Sequence, residues 1–177
     1  MKKLFLLCVI LFLSGTLKAQ SDWKSISYFK TNGLNELSEK KYCIVTVSRT
    51  GTGNVEIFDS SKAENYKFSM TVKEMKKFNK KIKKSGIYKI NQDSLKSGLS
   101  GSENVKGPYS NMTITLEYTK EQIEEMKREN EEKEKNPVLL IPADYNRKYI
   151  YSVSRLFDAV ENIVPDDIRN KTELLKK

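Results

Sequence analysis

The chain of 177 residues contains no histidine. That absence removes Ser/His and Cys/His nucleophile pairs, imidazole general bases and the commonest zinc ligand together. Cysteine is nearly as scarce. Of the two present, Cys8 lies in the N-terminal apolar run, which leaves Cys43 without a partner for an internal disulfide. Long apolar runs are lacking too: the longest, Leu4 to Leu13, is ten residues, against the roughly 20 that a membrane-spanning helix requires. No acidic cluster has the spacing of a calcium loop, so no metal ligand set and no cofactor are expected.

What is present begins with "MKKLFLLCVILFLSGTLKAQ". Two lysines, an apolar run and a polar stretch ending in Ala19 make the three-part layout of a secretory signal peptide, residues 1–19. Its style is bacterial and implies a periplasmic or secreted protein with no stable membrane span after cleavage. Removing Lys2, Lys3 and Lys18, and no acid, lowers the net charge from +9 to +6. The remaining length suits one domain with a single core.

The rest divides into an N-terminal lead-in (20–41), a domain (42–164) and a charged C-terminal tail (165–177). In the lead-in, "NGLNELSEK" reads as a short helix. "KYCIVTV" and "VEIF" alternate as strands about "RTGTGN", where Gly51, Gly53 and Asn54 tolerate positive φ. A phosphate-binding loop would need a helix after the glycines; a strand follows, so this is a hairpin turn. Cys43 shares the apolar face of Val45 and Val47 and reads as a core residue.

"YKFSM" is a third strand, with Tyr66, Phe68 and Met70 on one face. It runs into a helix opened by Thr71 and Glu74 at capping-box spacing, with Met70 and Met75 placed for a hydrophobic staple. Val72, Met75, Phe78 and Ile82 share the apolar side of that helix. Lys73, Lys76, Lys77, Lys80, Lys81, Lys83 and Lys84 cover the remainder. Such a face is either simply solvated or a patch for a polyanion. No aromatic residues interleave the lysines to stack on bases, so nucleic acid is not the expected partner.

Residues 85–111 read as a long Gly/Ser loop. "NMTITLEY" is a strand with one solvated face, and 120–135 is a solvated charged helix held by pairs such as Glu124 with Arg128. "PVLLIP" reads as a strand covered on both faces. "ADYNRKYIYS" leads into a last helix on which Val153, Leu156, Val160 and Ile163 align. These elements make an α+β fold, a single domain with a mixed sheet of about five strands and two to three helices mainly on one face.

"NPVLLIPADYNRKYIYSVSRLFDAVENI" resembles the periplasmic domain of the ExbD/TolR biopolymer-transport family. There a buried strand ends in an Ala-Asp pair, a tyrosine follows, and an amphipathic helix carries an aspartate near its middle. Ala143, Asp144, Tyr149 and Asp158 stand in comparable positions, and the block from Ile44 to Ile82 is similar to the family's first half. The family's membrane helix carries an aspartate; the N-terminal apolar run here carries none. The resemblance therefore implies a non-enzymatic interaction domain of the bacterial envelope, lacking the proton-coupled part, that binds itself, envelope proteins or peptidoglycan. Asp144, Arg147, Lys148, Tyr149, Tyr151 and Asp158 are its candidate binding residues, and Tyr and Arg suit interface anchors.

Two other readings stay open. A secreted inhibitor, immunity-type or polyanion-binding protein would use Lys73, Lys76, Lys77, Lys80, Lys81 and Lys84. A histidine-free envelope glycan hydrolase would use Asp144 and Asp158 as its two carboxylates.

Overall fold

The computed structural model describes residues 23–33, 39–95, 107–118, 120, 123–124 and 138–176. Six strands form one sheet: β1 (Trp23–Thr31), β2 (Lys41–Ser48), β3 (Thr52–Asp59), β4 (Lys62–Ser69), β5 (Tyr109–Leu116) and β6 (Val138–Ile141). Their spatial order is β4-β3-β2-β1-β5-β6, and every neighbouring pair is antiparallel. Helices α1 (Val72–Ser85) and α3 (Ile150–Glu161) are long; α2 (Gln92–Leu95) and α4 (Asp166–Arg169) are single turns. The fold is α+β and a single domain, as expected. Its sheet has six strands rather than about five, and antiparallel pairing throughout rather than a mixture.

Alternation along the strands decides which face is covered. Ile26, Tyr28, Cys43, Val45, Val47, Val55, Ile57, Met112 and Ile114 are buried on one face, where they meet Phe78 and Ile82 of α1 and Val153, Leu156 and Val160 of α3. Trp23 anchors α1 by an edge-on contact with Phe78 at 5.6 Å and by donating from its indole to Asn79 at 2.8 Å. Serines, threonines and asparagines dominate the opposite face, with an aromatic group at one end.

The largest correction falls on the lead-in. Residues 23–31 are not a preamble but the strand between β2 and β5. Its Ser25 and Ser27 lie on the uncovered face of the sheet, which a central strand of an antiparallel sheet permits. The short helix read in "NGLNELSEK" lies mostly outside the described residues. At the other end the packed domain does not stop at Pro165, because Ile168, Thr172 and Leu175 are buried. Nor is the stretch from Ser85 a plain loop: Gly86, at φ +74°, ends α1, and Ile87 and Leu95 are fully buried.

The hairpin forms as expected, with Gly51 at φ +89°. Gly53 serves a different purpose. It lies inside β3 opposite Phe68, where an added Cβ would sit 2.2 Å from the phenyl ring. The Thr71/Glu74 capping box is complete, Met70 and Met75 both pack against the core, but Val72 points away into solvent. Val138–Ile141, expected to be covered on both faces, is an edge strand: Leu139 and Ile141 are buried whereas Val138 and Leu140 are about half exposed. The Gln92 carboxamide donates to the Leu140 carbonyl at 2.7 Å and accepts from its N–H at 2.9 Å. One side chain thereby occupies the edge that another strand could pair with. The expected helix 120–135 and the signal peptide lie almost wholly outside the described residues.

Candidate functional site

Helix α1 exists because its start and end are both satisfied locally. The Thr71 side chain accepts from the Glu74 N–H, the Glu74 carboxylate accepts from the Thr71 N–H at 2.8 Å, and Gly86 takes the left-handed conformation at the far end. Two buried apolar residues, Phe78 and Ile82, then fix the helix's rotation against the sheet. Lys73, Lys76, Lys77, Lys80, Lys81, Lys83 and Lys84 are all exposed as a consequence.

Glu74 is the sole acid on α1. Its carboxylate is held below the ordinary glutamate range by the Thr71 backbone bond first, the Thr71 hydroxyl second and the nearby Lys77 charge last. It is thus already engaged in capping.

Between α1 and the turn joining α3 to α4 lies a groove of about 380 Å³, toward the small end of the range for ligand sites. Met70, Phe78, Ile163, Val164 and Pro165 form its apolar wall, Lys77, Lys81 and Arg169 its basic rim, and Ser69, Glu74, Asn162 and Asp166 complete the lining. Arg169 is tied to Asp166, and the Asn162 amide donates to the Asp158 carbonyl at 2.6 Å. Lys77 and Lys81, one turn apart, form no ion pair among the described residues. The groove therefore presents two cations without a direct carboxylate contact, Lys77 standing one turn from the Glu74 charge, beside an apolar wall.

The second group of sequence-predicted residues sits where β6 leads into α3. Asp144 is half-buried in the turn, Arg147 and Lys148 are exposed in a short 3-10 turn, and Tyr149 packs partly against the core. Lys148 lies 5.7 Å from the Tyr149 ring centre, a cation–π distance. Tyr151 is 81% exposed and Ile150 44%. Asp158 is exposed on α3. Gly86, which ends α1, neighbours Ser152 at the start of α3. That junction brings the Arg147–Tyr151 corner beside the lysine-rich helix; the groove lies toward the other end of α1.

Sequence reasoning missed two features. Arg169 joins the groove from a tail that reads as unpacked. On the uncovered sheet face, Tyr109, Phe29, Tyr42 and Phe58 form a row across four strands, with ring centres 5.8, 5.8 and 4.9 Å apart. Tyr42 and Phe58 are within 6° of parallel, an offset-stacked pair. Neighbouring rings of the row contact one another across the strands, which stabilises the sheet.

Tyr28, Lys30, Ser110 and Glu161 form a polar cluster at the end of α3. Tyr28 donates to Glu161 Oε1 at 2.5 Å, and Lys30 to the same oxygen at 2.7 Å. Burial, then the Glu161 carboxylate, push the Tyr28 phenol well above the ordinary tyrosine range. Cys43 is fully buried, as expected, and desolvation pushes its thiol up to about 12.

Among the described residues no three His, Cys, Asp or Glu side chains gather to hold a metal, and no helix is long and apolar enough to cross a membrane. No protein-family model matches the chain, and no curated protein matches it.

Proposed function

We propose that this chain is an exported, non-catalytic binding domain of the bacterial envelope that recognises an anionic partner on its α1 face. The observation that carries the reading is the charge of that helix. Seven lysines stand exposed on its 14 residues, and the single acid is spent on the cap. At about 1.5 Å per residue the helix is about 21 Å long, so its lysines meet several anionic groups of one chain at once. Peptidoglycan, whose peptide stems carry repeated carboxylates, is a partner of that kind.

Binding to purified sacculi in a sedimentation assay tests the reading. Retention is expected at low salt, with loss at high salt as screening shortens the reach of each lysine. Lys76→Glu with Lys80→Glu and Lys84→Glu removes retention while the circular dichroism stays unchanged. Equal retention by this variant, or indifference to salt, overturns the proposal.

A second reading rests on the Arg147–Tyr151 corner. Exposed Tyr151 and Ile150 beside Arg147 and Lys148 have the composition of a protein interface anchor, in keeping with the ExbD/TolR resemblance and with binding to itself or to an envelope protein. Tyr151→Ala would then weaken a crosslinked complex without touching sacculus binding.

A further inference from the structure

The groove beside α1 is a different kind of feature from the lysine strip. A strip of exposed cations suits an extended polymer, but a concavity with an apolar wall and two cations on its rim suits one small molecule that has both characters. We propose that the groove binds a single-chain amphiphile, one carboxylate or phosphate head on a hydrocarbon tail, with the head between Lys77 and Lys81. The inference rests on the reading of α1 as a binding face, and assigns to the groove a ligand of its own.

Three features select this chemistry. First, both acidic groups in the groove already have partners: Glu74 accepts two bonds from Thr71, at 2.8 and 2.7 Å, and Asp166 pairs with Arg169. Lys77, one turn from the Glu74 charge, and Lys81 are the groove cations without a direct carboxylate contact among the described residues, and they face an incoming anion. Second, the wall made by Met70, Phe78, Ile163, Val164 and Pro165 presents hydrocarbon and one thioether; Met70 and Ile163, both half-buried, can adjust to a flexible tail. Third, only two uncharged polar side chains in the lining could orient a peptide backbone or a sugar. Ser69 and Asn162 line the groove, and the Asn162 amide already donates to the Asp158 carbonyl at 2.6 Å. Lysines act as point charges without the planar fork of arginine, so they accept either head group.

Isothermal titration of the purified protein with decyl phosphate and with decanoate, both below their micellar concentrations, tests the proposal. Decanol supplies the tail without the head, and inorganic phosphate the head without the tail. Saturable one-to-one binding of at least one amphiphile is expected, at least about tenfold tighter than either fragment; which head binds better identifies the source. Lys77→Gln with Lys81→Gln should weaken it at least about tenfold, and Lys62→Gln on β4 should leave it unchanged. Ile163→Trp fills the groove and keeps every lysine, so it should abolish amphiphile binding while sacculus binding persists. Methyl NMR provides a readout without substitution: the Met70 methyl signal should shift with saturation. Equal affinity for decanol, no saturable binding, or an unmoved Met70 signal overturns the groove assignment. Amphiphile binding without sacculus binding leaves the groove standing and overturns the polymer reading.

Discussion

Tyr28 and Glu161 join the middle of the sheet to the end of α3. The phenol donates to Glu161 Oε1 at 2.5 Å, and Lys30, two residues along the same strand face, donates to that oxygen at 2.7 Å. Phe157, one turn before Glu161, lies 5.1 Å from the Tyr28 ring. Helix α3 is thus held to β1 by a ring contact and by a carboxylate that takes two donors.

Glu161 has a side-chain exposure of 13%, so losing it leaves the buried Tyr28 hydroxyl with only the longer 3.2 Å bond to Ser110 and takes the carboxylate from the partly buried Lys30 ammonium. Glu161→Ala should destabilise the fold by about 1–3 kcal/mol, read as a lower urea midpoint. Tyr28→Phe removes the same bond from the other side. The double variant should lose less than the sum of the two, because each single change already breaks the shared interaction. Additive losses would show that the pair is not coupled.

Gly53 offers a test of packing. Its backbone is not at positive φ, so the constraint is space: a Cβ would meet the Phe68 ring at 2.2 Å, and Phe68 is nearly buried. Gly53→Ala should cost about 1–3 kcal/mol through overpacking. Gly53→Ala with Phe68→Leu should recover part of that loss. A neutral Gly53→Ala would show that the ring shifts without cost.

Cys43 supplies a pH test. Desolvation raises its thiol from 9.0 to about 12; Lys30 opposes the rise and Glu161 adds to it. The folded state therefore favours the neutral thiol. The stability this contributes is fully present below pH 9 and is lost as the pH rises toward 12. The native protein should resist a thiol-specific reagent at pH 8 and react fully once unfolded in urea. The stability difference from Cys43→Ala should shrink across the alkaline window. Rapid native labelling would place the thiol at the surface.

Local signals in the sequence carried much of the fold. The capping box at Thr71 and Glu74, the alternation around Cys43, and the apolar spacing of Val153, Leu156 and Val160 each depend on residues within a turn or two of one another. Strand β1 was illegible for the opposite reason. In "WKSISYFKT" the polar Ser25 and Ser27 lie on the uncovered face, and Lys30 sits among core residues because Glu161 reaches it from 131 positions away. The aromatic row was hidden likewise, since Tyr109, Phe29, Tyr42 and Phe58 meet only once the strand order is set.

For the candidate site the division is similar. The lysine face follows from helical periodicity, because an apolar stripe at Phe78 and Ile82 turns every lysine of α1 outward whatever else the chain does. The groove needed the tertiary structure. Its rim takes Lys77 and Lys81 from α1 and Arg169 from the segment after Pro165, and its wall takes Met70 and Ile163 from the ends of two separate elements. By itself the sequence determined an α+β chain with a basic amphipathic helix, since both are short-range properties of spacing and charge. Only the tertiary structure decided that a strand from the lead-in stands within the sheet and that the C-terminal tail closes a groove, because both depend on contacts between distant residues.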